Sequence, residues 1–184
     1  MILSDKKIKE LISNEEIAIK RPEGELYIGP SSIDLHLSGT AKLIDFPPDG
    51  IIDTYDKNSI RYRTFEFEEL IIQPGDFFLL STEEKITLSK STAGFVSGRS
   101  SMARVGVNVH CAGFVDPQFS GTITMEVSNF TNYPIKLHRG MRLCQIVILL
   151  TTDPVEVGYG EKKDSKYQGQ LDPGESKIYK DNEN

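Results

Sequence analysis

Apolar and polar residues alternate along most of this chain with the period of two that is typical of β-strands. In SIDLHLSG, Ile33, Leu35 and Leu37 occupy every second position. Asp34 and His36 stand between them, on the opposite face of the predicted strand. Comparable runs follow, separated by Gly, Pro and Asp: FEFEELIIQPGDFFLLST, KITL, AGFVSG, VGVNVH, TITMEVSN, IKLHRG and LCQIVILL. This spacing predicts a mainly β fold, either a sandwich or a barrel.

One helix is predicted, at the N-terminus. In DKKIKELI, Ile8 and Leu11 have helical spacing, Asp5 lies in the first turn and Ser4 precedes it as an N-cap residue. We expect the helix to end near Asn14. The polar segment from Tyr159 onward has few residues able to anchor a core, so the pattern predicts a β domain over residues 1–158 and a flexible tail over 159–184. By itself such a tail is typical of a frayed end.

Candidate chemistry is concentrated in residues 98–126, GRSSMARVGVNVHCAGFVDPQFSGTITME. Arg99 and Arg104 are permanent cations with rigid donor forks that suit phosphate oxygens. Ser100 and Ser101 offer hydroxyls that can donate to phosphate or orient a water. Gly-Arg-Ser-Ser alone is also a common surface turn, so the motif gains weight only from its neighbours.

A strand further along the same segment points a carboxylate away from the core. In TITMEV, the residues from Ile123 to Val127 alternate, so that Thr124 and Glu126 share the polar face. Glu126 is a candidate proton shuttle. Asp116 precedes it by ten residues, and a turn at PQFSG would bring both carboxylates to one cleft.

Composition restricts the class of partner. The chain has 184 residues and a formal net charge of −6, which argues against a nucleic-acid backbone as partner. Cys111 and Cys144 show no pairing pattern, so we expect a reduced, cytoplasmic protein. No run approaches the ~20 apolar residues of a membrane span, and no membrane partner is expected.

These motifs resemble the dCTP deaminase branch of the dCTP deaminase and dUTPase superfamily. RSSMAR is similar to the family's phosphate and catalytic motif, and AGFVDPQFSGTITMEVSN to its hairpin and base-binding strand. GPSSIDLHLSG, GMRLCQIVILL and GYGEKKDSKYQGQ are similar to its first strand, its last strand and its nucleotide-covering tail. The resemblance implies a distorted, jelly-roll-like β-barrel of the dUTPase type (β-clip) and a homotrimer whose sites use more than one subunit.

The resemblance also implies residue roles. Glu126 would move the proton, with Ser100 and Arg104 holding the water together with a hairpin carbonyl near Ala112. Mg²⁺ is expected on the substrate triphosphate, without a protein metal site. The nucleotide-binding set implied by the family is Arg99, Ser100, Ser101, Met102, Ala103, Arg104, Asp116, Thr124, Met125, Glu126, Gln145, Tyr159, Lys166 and Gln170.

Zinc deaminases carry H-x-E and P-C-x-x-C patterns, which this chain lacks. A deaminase built from it must activate water without zinc. Glu126 with Arg104 favours deamination of dCTP, and Gly113, Phe114 and Gln145 resemble the bifunctional members that continue to dUMP. The alternatives are a deaminase that stops at dUTP, a dUTPase, and a nucleotide-sensing binding protein, with dTTP as an expected inhibitor. One departure is that the family's H-x-T-A reads His110-Cys111-Ala112 here, one residue short.

Overall fold

The computed structural model describes residues 1–45, 47, 50–110 and 112–182. Cys111, in the shortened loop, lies outside the described residues, as do the last two residues of the predicted tail. Within the described part, two short 3₁₀ turns, Tyr159–Glu161 and Ile178–Asn182, lie in the tail. The helices are α1 (Asp5–Ser13) and α2 (Ser100–Ala103). The strands are β1 (Ala18–Lys20), β2 (Tyr27–Ile28), β3 (Ile33–Asp45), β4 (Arg61–Glu66), β5 (Glu69–Ile72), β6 (Phe77–Thr82), β7 (Lys85–Thr87), β8 (Thr92–Gly98), β9 (Val107–His110), β10 (Phe114–Val115), β11 (Ser120–Gly121), β12 (Thr124–Asn129), β13 (Ile135–His138) and β14 (Arg142–Leu150).

The largest sheet is organised around β3, which belongs to two sets of neighbours. Its first part pairs antiparallel with β14, and its later part pairs with β4 and β6. The strand order is β10-β8-β14-β3-β6-β12-β9, and the smaller sheets are β1-β7-β11 and β13-β5. The prediction of a mainly β fold with a curled, barrel-like sheet is therefore confirmed.

The N-terminal helix is also confirmed, with Ser4 as its N-cap and Asn14 as its C-cap. Ile8 and Leu11 are fully or almost fully buried, because their spacing places both on the face that meets the sheet. Leu3 N donates to Ile148 O at 3.0 Å, which ties the start of the chain to β14.

In the first part of β3 the polar face is buried as well as the apolar face. Asp34 and His36 each retain only 7% exposure, so neither face of this part of the strand meets solvent. The period of two is still present, but both faces are covered, as in a central strand. The run FEFEELIIQPGDFFLLST divides among β4, β5 and β6, and the serine motif forms α2 and not a surface turn.

Glu84 is a fully buried carboxylate next to the bend of β3. Its Oε2 accepts a hydrogen bond from His36 N at 2.8 Å, and its Oε1 lies 2.6 Å from His36 Nδ1. Arg21 Nε lies 3.9 Å from the same Oε1. The carboxylate thus satisfies a backbone donor that the irregular pairing of β3 leaves without a strand partner.

We expect Glu84→Ala to lower the free energy of unfolding by about 1–3 kcal/mol for each buried polar group left unpaired. The matched control is Glu69→Ala, since Glu69 forms an ion pair with Lys136 that is exposed to solvent and therefore contributes little to stability. Denaturant unfolding of both variants measures the difference. A Glu84 variant as stable as the Glu69 variant would contradict the structural role of this carboxylate.

Candidate active site

A cavity of about 600 Å³ lies against the polar face of β12, and we call it the Glu126 cavity. Its walls are largely apolar, as is usual for cavities that bind small molecules. The sequence-predicted residues that line it are Asp116, Thr124, Glu126, Tyr159 and Gln170. The predicted meeting of Asp116 and Glu126 in one cleft is thus present in the structure. Ala112, Phe114 and Tyr62 also line the cavity.

The alternation of β12 places Glu126 in this cavity. Met125 and Val127 have no exposed surface and pack in the core, while Thr124 and Glu126 face the other way. The predicted strand faces are correct. Met125, which the resemblance assigned to nucleotide binding, has its side chain in the core, so only its backbone is available to a ligand.

The burial of the Glu126 carboxylate is only partly offset by favourable contacts. Its Oε2 is buried and, among the described residues, accepts no hydrogen bond. Burial raises the pKa of Glu126 above its ordinary value, and the nearby His110 partly offsets that rise. His110 is its register partner on β9, so the two side chains leave the sheet on the same face. A carboxyl group whose proton is held more tightly than usual is suited both to accepting a proton and to returning it.

The turn directly before β10 forms one wall of the cavity. Gly113 has a φ of +40°, and a Cβ at this position would lie 3.0 Å from the ring of Phe95. Glycine is therefore required both by the backbone conformation and by the neighbouring ring. Phe114 N donates to Ala112 O, and Val96 N donates to Gly113 O at 2.7 Å. The tight turn brings the backbone of Ala112 to the cavity.

The serine motif lies elsewhere on the chain's surface. Met102 is buried and anchors α2, whereas Ser100, Ser101, Ala103 and Arg104 are exposed. None of the residues from Arg99 to Arg104 lines the Glu126 cavity. The structure of this chain therefore brings the backbone of Ala112, but not Ser100 or Arg104, to the predicted proton shuttle Glu126.

Arg99 belongs to a second polar group, the Asp34 cluster, formed by Asp34, Arg99 and Arg142. Arg99 Nε lies 3.2 Å and Arg142 Nη1 lies 3.1 Å from the same Asp34 Oδ2. Gln145, a predicted site residue, is the register partner of Asp34 and accepts a hydrogen bond from Ser32 Oγ at 3.1 Å. Gln145 thus lies with the Asp34 cluster and not in the Glu126 cavity.

Sequence reasoning missed Asp34 and Arg142 as candidate site residues. Asp34 was assigned only to the polar face of a strand, and Arg142 lies in a motif cited only for its resemblance. The available signal was the pair of polar positions in SIDLHLSG, but their partners come from β14, about a hundred residues later.

The tail passes over the Glu126 cavity of its own subunit. The Tyr159 ring packs on Phe119, with ring centroids 6.0 Å apart. Gln170 Nε2 donates to Thr122 O at 2.7 Å and approaches Thr124 Oγ1 at 3.3 Å. Lys166 does not line the cavity, and its ammonium pairs with Asp181 in the tail.

Among the described residues, no group of three or more His, Cys, Asp or Glu side chains is placed to hold a metal ion. No helix in the same part of the chain is both long enough and apolar enough to cross a membrane.

Comparison with known proteins decides the family. The model of the dCTP deaminase-like family matches residues 2–150. This chain belongs to the dCTP deaminase-like family. The dUMP-forming dCTP deaminase of Coprothermobacter proteolyticus is 43% identical over 185 residues, covering 98% of each chain. That of Methanosphaera stadtmanae is 41% identical over 187 residues, covering 98% of this chain and 95% of the relative.

Solved structures agree with this fold. A 2′-deoxycytidine 5′-triphosphate deaminase from Agrobacterium tumefaciens superposes with a TM-score of 0.63 and 21% identity, covering 82% of this chain and 48% of that one. A native EIAV dUTPase superposes with a TM-score of 0.51 and 20% identity, covering 76% of this chain and 92% of that one. The β-barrel of the dUTPase type expected from the sequence is thus the fold of this member of the family.

The raised pKa of Glu126 predicts a pH-dependent stability difference. Its folded pKa lies above an ordinary value near 4.5, so ionising it costs stability as pH rises through the folded pKa. Below the ordinary value both states are protonated and the cost disappears. We therefore expect Glu126→Gln to raise Tm at pH 7–8, with the gain over wild type shrinking towards pH 4.

Thermal unfolding across this pH range measures the effect, with the exposed Glu25→Gln as the matched control that should show no such trend. A Glu126→Gln gain that is constant with pH, or that grows as pH falls, would show that the carboxylate is not destabilised by burial.

Proposed function

We propose that this protein is a bifunctional, dUMP-forming dCTP deaminase. The observation that carries the proposal is Glu126, whose Oε2 is buried and, among the described residues, accepts no hydrogen bond, in a largely apolar cavity beside the turn before β10. Full-length relatives at about 40% identity carry the name dCTP deaminase, dUMP-forming. A planar pyrimidine suits such a cavity, and Thr124 with the backbone of Met125 faces its edge.

The deamination step requires one general acid–base group. Glu126 takes a proton from water as the water oxygen attacks C4 of cytosine. The same carboxyl then gives that proton to the departing amino group, so the C4–N bond breaks and ammonia leaves. Ser100, Arg104 and the carbonyl of Ala112 hold the attacking water. The raised pKa of Glu126 favours the second transfer, because burial stabilises the protonated form relative to the carboxylate.

The second step breaks the anhydride between the α and β phosphates. A water oxygen bonds to the α-phosphorus, diphosphate leaves, and dUMP remains. Asp116 lines the same cavity, where its carboxylate accepts from the 3′-hydroxyl or orients that water. Mg²⁺ bound with the triphosphate would neutralise phosphate charge, in keeping with its preference for phosphate and water oxygens.

Assembly supplies the residues that the cavity lacks. The exposed face of α2 carries Ser100 and Arg104 away from the Glu126 cavity of its own subunit, so we assign it to the cavity of a neighbouring subunit in a homotrimer. Phe95 and Phe114 support this assignment. They are register partners that are 49% and 59% exposed beside the cavity, which is unusual unless another surface covers them.

The remaining partners follow from the same site. Lys166, Tyr159 and Gln170 contact the nucleotide when the tail closes. dTTP shares the sugar and triphosphate with the substrate and differs at the base edge, so it is the expected inhibitor. We expect the protein to be reduced and cytoplasmic, and to act on free nucleotides.

Product analysis tests this function. Incubating dCTP with the protein and Mg²⁺ should give dUMP, diphosphate and ammonia. Activity should survive a zinc-selective chelator and return with Mg²⁺ after complete chelation. Accumulation of dUTP would indicate a deaminase that stops after the first step, and turnover of dUTP alone would indicate a dUTPase. Binding of the nucleotide without turnover would indicate a nucleotide-sensing binding protein.

In the same assay, Glu126→Gln should reduce ammonia release about 10²–10⁴-fold, because the amide keeps the shape but cannot carry the proton. Glu25→Gln serves as the matched exposed control and should leave the rate unchanged. Retention of more than a tenth of wild-type activity in Glu126→Gln would remove this residue from the mechanism.

We expect the tail to be a lid that becomes protected when nucleotide binds. Its attachment by hydrogen bonds such as Gly174 N to Thr124 Oγ1, at 2.8 Å, suits a segment that opens and recloses. Hydrogen exchange of residues 159–171 should slow with a non-hydrolysable dUTP analogue, while exchange in β12 changes little. Truncation after Pro154 should leave a folded protein with severely reduced turnover. Equal tail protection with and without the analogue would refute the lid.

A further inference from the structure

Two arginines share one buried carboxylate oxygen at the junction of β3 and β14. Asp34 keeps only 7% of its surface, and its Oδ2 lies within 3.2 Å of both the Arg99 and the Arg142 guanidinium groups. Arg99 Nη1 also donates to the backbone carbonyl of Arg142 at 3.2 Å. The two cations are therefore held side by side by the same group.

The strand register shows that this arrangement requires a local irregularity. Arg142 is paired with His36 and Cys144 with Leu35, so β14 contains one extra residue between these pairs. Such a bulge re-aims a side chain. It turns Arg142 towards Asp34, although the register partner of Asp34 is Gln145.

The charges of the Asp34 cluster do not balance. One carboxylate faces two guanidinium groups, so the cluster carries a net positive charge and holds two like charges close together. The ladder between β3 and β14 already joins the strands, and buried ion pairs contribute little stability of their own. An added anion would relieve the repulsion that the cluster contains.

We propose that Arg142 is a second polyphosphate-binding arginine, paired with Arg99 through Asp34, for the triphosphate of the nucleotide substrate. This inference rests on the proposed function and assigns a residue to it. The Tyr27 ring lies 4.3 Å from Arg142 Cζ and fixes the plane of the guanidinium. Among the described residues, the Arg142 side chain donates one hydrogen bond, from Nη1 to Asp34. Four of its five N–H donors are therefore left for phosphate oxygens.

Asp34 acts as a positioning residue in this arrangement. It touches no phosphate, but it orients both donor forks on one oxygen. If Asp34 were only a counter-charge, neutralising it would strengthen anion binding. If it positions the arginines, neutralising it weakens anion binding even though the cluster becomes more positive.

The experiment uses inorganic tripolyphosphate and dCMP as probes of the full-length protein. Binding of each is measured by calorimetry at two salt concentrations, alongside kcat and KM for dCTP. Arg142→Gln should weaken tripolyphosphate binding and raise KM for dCTP by roughly 10–100-fold, the effect of losing charge-assisted hydrogen bonds. The affinity for dCMP and kcat should change by less than about threefold. Arg142→Lys should lie between wild type and Arg142→Gln, since it keeps the charge but not the fork.

Asp34→Asn should weaken tripolyphosphate binding, and Arg63→Gln is the matched control, because Arg63 is an exposed residue on β4. If Asp34→Asn does not fold, the Arg142 pair still decides the question. Unchanged tripolyphosphate affinity in Arg142→Gln, or equal loss for tripolyphosphate and dCMP, overturns the inference. Failure of the wild type to deaminate dCTP would instead count against the proposed function, since tripolyphosphate binding is measured without turnover.

Discussion

The continuity of β3 is the constraint on which the rest of the structure depends. The first part of this 13-residue strand pairs with β14, and its later part pairs with β4 and β6. Its register shifts between Leu37 and Ala41, where the sheet changes neighbours. β14 carries Arg142 and Gln145, whereas β6 pairs with the strand that carries Glu126. One covalent strand therefore fixes the position of the Asp34 cluster relative to the Glu126 cavity.

The distribution of satisfied and unsatisfied polar groups follows the same division. Asn129 is buried and donates to Ile72 O and Tyr133 O, and Glu84 is fully paired at the bend of β3. Among the described residues, three buried side-chain atoms lack a partner, and two of them, Glu126 Oε2 and Gln170 Oε1, belong to residues that line the Glu126 cavity. Natural proteins leave such atoms mainly where a ligand or water will meet them. The unpaired oxygens and the family relationship thus support the same site.

Local pattern was sufficient for much of the fold and for part of the candidate site. The helix over Asp5–Ser13 and the two faces of β12 follow from short-range periodicity, which is why both were predicted correctly. The burial of Asp34 depends on the charges of Arg99, directly after β8, and Arg142 on β14, and no local pattern contains that information. The separation of α2 from Glu126 could not be predicted for the same reason, because it depends on how distant strands are ordered in the sheet.

The way in which the tail is attached separates the stability of the closed tail from the stability of the barrel. Gln170 and Gly174 are joined to β12 and the residues before it mainly through directional hydrogen bonds, and Tyr159 provides the ring contact. Opening the tail therefore exposes little of the core formed by residues such as Leu80 and Met125. The free energy of opening the tail is a local quantity that is largely independent of global unfolding. Substitutions near the C-terminus can therefore change how firmly the tail is held while the heat resistance of the barrel stays the same.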